Sequence, residues 1–173
     1  MSGRPAAPTL RPAVDADLPA IVAIYNHEVR SGVATFDTEP WSVEGQRAWL
    51  AAHATSERHP LLVAESEGDV VGWAALSPWS ARCAYARAAE DSVYVRPGHR
   101  GRGVGRALLE ELLRRARAAG LGVVIARIET SGAASLALHR ALGFRPIGTM
   151  RRVGEKLGRI LDVELLDLHL DGA

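Results

Sequence analysis

"VRPGHRGRGVGRALLEELLRRA", running from Val95 to Ala116, decides how the rest of the chain is read. Its first twelve residues hold four glycines and four arginines, and a leucine-rich helical pattern then takes over. Glycines between an extended "SVYV" and a helix leave backbone N–H groups uncrowded by side chains. The helix start adds unpaired donors and partial positive charge, so the turn is suited to an anion. Two common phosphate-loop patterns fail here. No Gly-Lys-Ser/Thr triplet is present, which removes the Walker loop. A dinucleotide fingerprint begun at Gly101 needs glycine where Arg106 stands, and one begun at Gly103 needs it where Leu108 stands. What remains is Arg100-x-x-Gly103-x-Gly105 in a strand–loop–helix setting.

The whole chain narrows the ligand. At 173 residues with 47% hydrophobic and 24% charged side chains, it has the size and composition of one globular domain. Residues 1–8 read as a disordered leader and 9–173 as a single domain. No apolar run is long enough to cross a bilayer, and the leader lacks a signal-peptide core, so a soluble cytoplasmic protein with no membrane partner is expected. Cys83 is the only cysteine, which excludes a disulfide framework and a cysteine-based zinc cluster; no metal is expected. Residues 1–90 carry 7 basic and 11 acidic side chains, whereas 91–173 carry 14 and 9. Seven arginines fall between Arg96 and Arg117. That cluster is local and has little aromatic interleaving, so a small polyphosphate fits it better than nucleic acid.

Periodicity places the elements around the loop. "TLRPA" reads as a first strand. A helix with Leu18, Ile21, Val22, Tyr25 and Val29 on its apolar face follows, capped by Asp15 or Asp17. Ser42 opens a second helix at "SVEGQRAWLAAH". "LLVAES", the turn "EGD" and "VVGWAALS" form a hairpin in which Gly72 permits a bend. "PWSARCAYARAAE" reads as a loop and "DSVYV" as a strand. The third helix runs from about Gly103 to Ala119, burying Val104, Leu108, Leu109, Leu112 and Leu113. "GVVIARIE" is a buried-type strand, and a helix ending at Gly143 follows. "RPIGTMRRVGEK" and "ILDVELLDLHL" supply two last strands. The fold class is α/β (α+β), a mixed sheet with helices on its faces.

At this point the chain resembles a known family. Arg100-x-x-Gly103-x-Gly105 after "VYV" is similar to the coenzyme A pyrophosphate loop of the GNAT superfamily of N-acetyltransferases. Within it the chain looks like the phosphinothricin acetyltransferase group. The residues that carry this are "RPA" at 11–13, "IYNHEV" at 24–29, "TFDTEP" at 35–40, "PW" at 78–79 and "AR-x-AY" at 81–85. "E-x-SVYV" at 90–95 and "S-x-x-LH-x-ALGF" at 135–144 complete the series. The resemblance implies a mostly antiparallel central sheet with helices on both faces, acetyl-CoA as cofactor and a homodimer. The acceptor it implies is a small amine of amino-acid type.

Acetyl transfer from a thioester needs a neutral amine, so a base must take its proton, and the carbonyl oxygen needs donors as charge builds on it. The resemblance assigns the base to Glu90, read as standing just ahead of the "DSVYV" strand. It gives the main chain of Val93, Tyr94 and Val95 to the acetyl carbonyl. Arg100, Gly101, Arg102, Gly103, Val104, Gly105 and Arg106 are expected to hold the cofactor, with Ser135 beside them. His139 stands where it would assist the leaving thiolate. Arg82 and Tyr85 are implied in gripping an acidic head group, which suits a planar guanidinium. Phe36 is expected to wall the same pocket. Ala88-Ala89, Gly132, Glu155 and Ile160-Leu161 depart from the group's pattern. All but Gly132 bear on the acceptor pocket or the dimer surface; none bears on the cofactor loop. Two rivals stand beside this reading: acetylation of a protein N-terminus or lysine, and an acyl-CoA sensor without turnover, against which a base such as Glu90 argues.

Overall fold

Leu108, Leu109, Leu112, Leu113 and Ala116 recur at helical spacing and are buried to 3% exposure or less. Each leucine so buried contributes about 2 kcal/mol, enough to fix one face of this helix on the sheet. The computed structural model describes residues 7–171, so the greater part of the expected leader lies outside the described residues. In chain order the elements are β1 (Thr9–Pro12), α1 (Leu18–Ser31), α2 (Arg47–Ala54), β2 (Leu61–Ser66) and β3 (Asp69–Pro78). They continue with β4 (Ala88–Val95), α3 (Val104–Ala118), β5 (Val123–Glu129), α4 (Ala133–Ala141), β6 (Arg145–Lys156) and β7 (Arg159–His169).

The strands form one seven-stranded sheet in the order β1-β2-β3-β4-β5-β7-β6. Every neighbouring pair is antiparallel except β4 and β5. Side chains alternate between two cores, as strand geometry requires. Leu62, Val71, Ala89, Val124 and Ala126 pack with α3 and with Leu136 of α4. Leu61, Val63, Val70, Trp73 and Ala75 pack with α1 and α2. The mixed sheet covered on both faces is therefore the one expected from the sequence. Among the described residues, no helix is long and apolar enough to cross a membrane.

Three local readings change. Asp17 occupies the position before α1 but makes no capping bond to it. Its carboxylate is taken by Arg11, at 2.7 and 2.8 Å, and by the Val14 N–H, and the guanidinium holds it below the usual carboxylate range. Asp15 is drawn instead to Arg47. Ser42 accepts from the Gly45 N–H at 3.0 Å, yet one 3-10 turn intervenes and α2 starts only at Arg47. Glu90 is the third residue of β4, where "DSVYV" alone was read as strand. Ala88 and Ala89 are poor strand formers, but both are buried and paired with β5, Ala89 with β3 as well, and that context decides.

Candidate active site

The site begins where two strands part. β4 pairs with β5 only through Ala88–Val123, Ala89–Val124 and Glu90–Ile125, although both strands run on beyond that point. The gap so opened pierces the sheet. A cavity of about 290 Å³ fills it, lined by Asp91, Val93, Ala126, Ile128 and His139 from the α3/α4 side, and by Ser92, Tyr94 and Glu129 from the other. Glu28 and Ala34 close it from above.

On the α3/α4 side the gap opens into a groove of about 630 Å³. Val93, Tyr94, Val95, Arg100, Gly101, Gly103, Gly105, Arg106, Ser135 and His139 all line it, so ten of the residues expected at the cofactor or the chemistry meet here. The turn before α3 is left-handed at Gly98, Gly101 and Gly103, with φ of 86°, 71° and 85°. A side chain at Gly103 would be strained there, and left-handed residues in such a turn are the backbone form that allows amide N–H groups to converge on an anion. No side chain caps α3, so its first N–H groups stay open. Arg100 donates to Glu28 of α1 and, at 3.1 Å, to the Val95 carbonyl, which ties the loop to both β4 and α1. Arg102 and Val104 point elsewhere: their side chains line a separate cavity with His99 and Glu65, and Val104 is part of the core.

His139 and Asp91 form a buried pair that crosses from α4 to β4. His139 Nδ1 donates to the Ser135 carbonyl at 2.8 Å, and Nε2 lies 2.9 Å from Asp91 Oδ2. Burial by itself would push the imidazole down, but the hydrogen bond and charge of Asp91, with the Ser135 carbonyl, outweigh it and the net shift is upward. The shift favours the imidazolium more than a free histidine would, and both ring nitrogens are engaged. Asp91 Oδ1 is buried and has no partner among the described residues.

On the opposite face Glu90 is held by Arg127 of β5, with Nε on Oε1 at 2.5 Å and Nη2 on Oε2 at 2.7 Å. The Arg127 guanidinium also stands 5.7 Å from the centroid of the Trp79 ring. A loop from Gly32 to Pro40 overhangs this face, and three contacts fix it. Buried Lys156 donates to the carbonyls of Glu28 and Thr35 at 3.0 and 2.7 Å, and burial pushes its ammonium down. Tyr25 lies 2.6 Å from Thr35 Oγ1 and donates to Asp37 at 2.7 Å. Phe36 lies so close to Gly154 of β6 that any Cβ there would overlap its ring. Arg82 and Tyr85 are exposed on a 3-10 turn and line neither cavity; Arg82 contributes its backbone to that turn.

Asp91, Arg127, Lys156 and Gly154 were not singled out by sequence. A signal existed for one of them: Arg127 is a lone cation inside the apolar run "VVIARIE".

A sheet split beside a glycine-rich anion turn defines the class of protein. The Acetyltransferase (GNAT) family pattern matches residues 21–144, and the chain belongs to that family. It is an N-acetyltransferase that uses acetyl-CoA. Among its relatives, an L-methionine sulfoximine/L-methionine sulfone acetyltransferase of Pseudomonas paraeruginosa is 43% identical over 164 residues, 94% of this chain and 95% of the relative. A phosphinothricin N-acetyltransferase of Streptomyces coelicolor is 43% identical, covering 89% and 91% of the two chains. The crystal structure of a phosphinothricin acetyltransferase from Sinorhizobium meliloti in complex with acetyl-CoA superimposes with a TM-score of 0.91 at 41% identity. It spans 95% of this chain and 89% of its own. The left-handed turn and the open groove fit such a cofactor.

Proposed function

We propose that this enzyme acetylates the α-amine of a small amino-acid-like acceptor of the phosphinothricin or methionine sulfone/sulfoximine type, by direct attack in a ternary complex. One observation carries the reading. The β4–β5 gap runs from the glycine-turn groove on one face of the sheet to Ser92, Tyr94 and Glu129 on the other, and the Glu90–Arg127 pair stands on that second face at the last paired register, where the gap begins. Donor and acceptor can therefore approach from opposite sides and meet between the strands, as direct transfer requires.

Acetyl-CoA, when bound, supplies the thioester carbonyl that the amine attacks and the thiolate that leaves. The N–H groups from Gly101 to Gly105, the start of α3 and Arg100 would hold the pyrophosphate, with Ser135 across the groove. Main-chain donors of Val93 to Val95 would face the carbonyl oxygen and stabilise it as charge builds. Glu90 takes the proton from the amine as the N–C bond forms. The His139 imidazolium lies on the sulfur side of the gap and offsets charge on the departing thiolate. Phe36 walls the acceptor pocket, while Arg82 and Tyr85, which line neither cavity, would turn in from their exposed 3-10 turn to hold the polar head of the acceptor side chain. We further propose a cytoplasmic homodimer of single-domain subunits. Exposed Ile147, Val153, Leu157 and Ile160 on the β6–β7 hairpin support this, since they leave an apolar surface that a second copy would cover.

The test couples a thiol reagent to acetyl-CoA turnover across L-methionine sulfone, L-methionine sulfoximine, L-phosphinothricin, spermidine and an aminoglycoside. An amino-acid acceptor should lead. Glu90→Gln should lower turnover by about two to four orders of magnitude with acetyl-CoA affinity held. Spermidine or the aminoglycoside outrunning every amino acid would overturn the acceptor assignment, and near-normal turnover by the variant would remove Glu90 as the base.

A further inference from the structure

Arg127 has no role in the chemistry so far, yet it touches the residue proposed as base. Its fork spends Nε and Nη2 on the two Glu90 oxygens, and Nη1 makes no hydrogen bond among the described residues. The Trp79 ring lies at a distance from the guanidinium where cation–π attraction operates. About half of the Arg127 side chain is exposed, against a fifth of Glu90, so the outer edge of the fork faces solvent. Both residues extend from strands at the point where those strands diverge, on the face away from the glycine turn.

An α-amino acid carries its amine and carboxylate on one carbon. Glu90 and Arg127 present the complementary charges equally close together. An amine directed at Glu90 brings its own α-carboxylate against the free edge of Arg127, where a planar fork binds it better than a point charge would. An amine without that carboxylate leaves Arg127 with no partner but Glu90, and must compete with the fork for the base.

We infer that Arg127 is the specificity-determining residue for the acceptor's α-carboxylate: it receives that group beside Glu90 and selects α-amino acids over simple amines. This rests on the amino-acid acceptor proposed above and assigns the α-carboxylate to Arg127, leaving Arg82 to the side-chain head. No covalent step changes.

The experiment compares L-methionine sulfone with its neutral α-carboxamide, for the unaltered enzyme, Arg127→Gln and Arg127→Lys. The unaltered enzyme should prefer the acid. In Arg127→Gln the ratio of kcat/KM for acid over amide should fall roughly ten- to a hundredfold, the loss expected for a hydrogen bond to a charged group. The fall should come mainly through the KM of the acid. Arg127→Lys keeps the charge without the fork and should recover only part of the ratio. Acetyl-CoA affinity, read by calorimetry, should be unchanged in both variants. A ratio within twofold of the unaltered enzyme in both variants would overturn the inference, as would a parallel loss of acetyl-CoA affinity. Failure of the unaltered enzyme to acetylate any α-amino acid would instead sink the acceptor class on which the inference rests.

Discussion

Asp91→Asn isolates the buried pair at the base of the groove. The Asp91 and His139 side chains are 2% and 4% exposed, so water cannot replace their 2.9 Å contact. Asparagine keeps the shape. Its Nδ2 can donate to a neutral His139 Nε2 while Nδ1 keeps its bond to Ser135, and its free oxygen stands where Asp91 Oδ1 already has no partner. The loss is therefore one charge-assisted hydrogen bond, about 1.5–3 kcal/mol, and not a stranded buried charge. For a chain of this size that lowers Tm by about 3–12 °C. The pH dependence follows from the upward shift of His139. A group raised in the folded state stabilises fully below its unfolded value of about 6.5, and that contribution is lost as pH rises through the folded value. Thermal melts of both proteins from pH 5.5 to 9.5 should show the largest gap at the acid end of the series and a narrowing gap toward the alkaline end. A gap that does not vary with pH, or no gap at pH 6, would refute the imidazolium–carboxylate assignment.

Gly103→Ala puts a Cβ on a residue at φ 85°, where nothing lies within 4 Å, so its effect is conformational, about 1–2 kcal/mol of left-handed strain. Gly105→Ala instead places a methyl against Leu138 and Val95 in the groove wall. Each should weaken acetyl-CoA at least tenfold by calorimetry with Tm little changed by Gly105→Ala; native affinity in both would remove the turn from the cofactor site. Sedimentation of the unaltered protein at micromolar concentration should give twice the 18.5 kDa chain mass. Ile160→Glu should move it toward the monomer, and a monomer throughout would refute the proposed dimer.

The strands, the helices and the anion turn were legible because each is a local pattern. Period-two runs, the 3.6-residue repeat of Leu108, Leu109, Leu112 and Leu113, and glycines before a helix act within a few residues of one another. Element boundaries were less secure where tertiary pairing overrides propensity, as at Ala88 and Ala89. The resemblance to acetyltransferases rested on the same local strings and led to the groove residues that the fold brings together.

What the sequence by itself determined was the family, the layered fold and the glycine turn that lines the groove. The acceptor side, and the buried pair at the base of the groove, were decided by tertiary structure, because their contacts join residues far apart in the chain. Arg127 reaches Glu90 across 37 positions, His139 reaches Asp91 across 48, and Lys156 reaches the Glu28 carbonyl across 128. No periodicity encodes such pairs. The first exists because β4 and β5 run parallel and stop pairing after Glu90 and Ile125; the second because α4 packs over β4, and the third because β6 brings Lys156 under the end of α1.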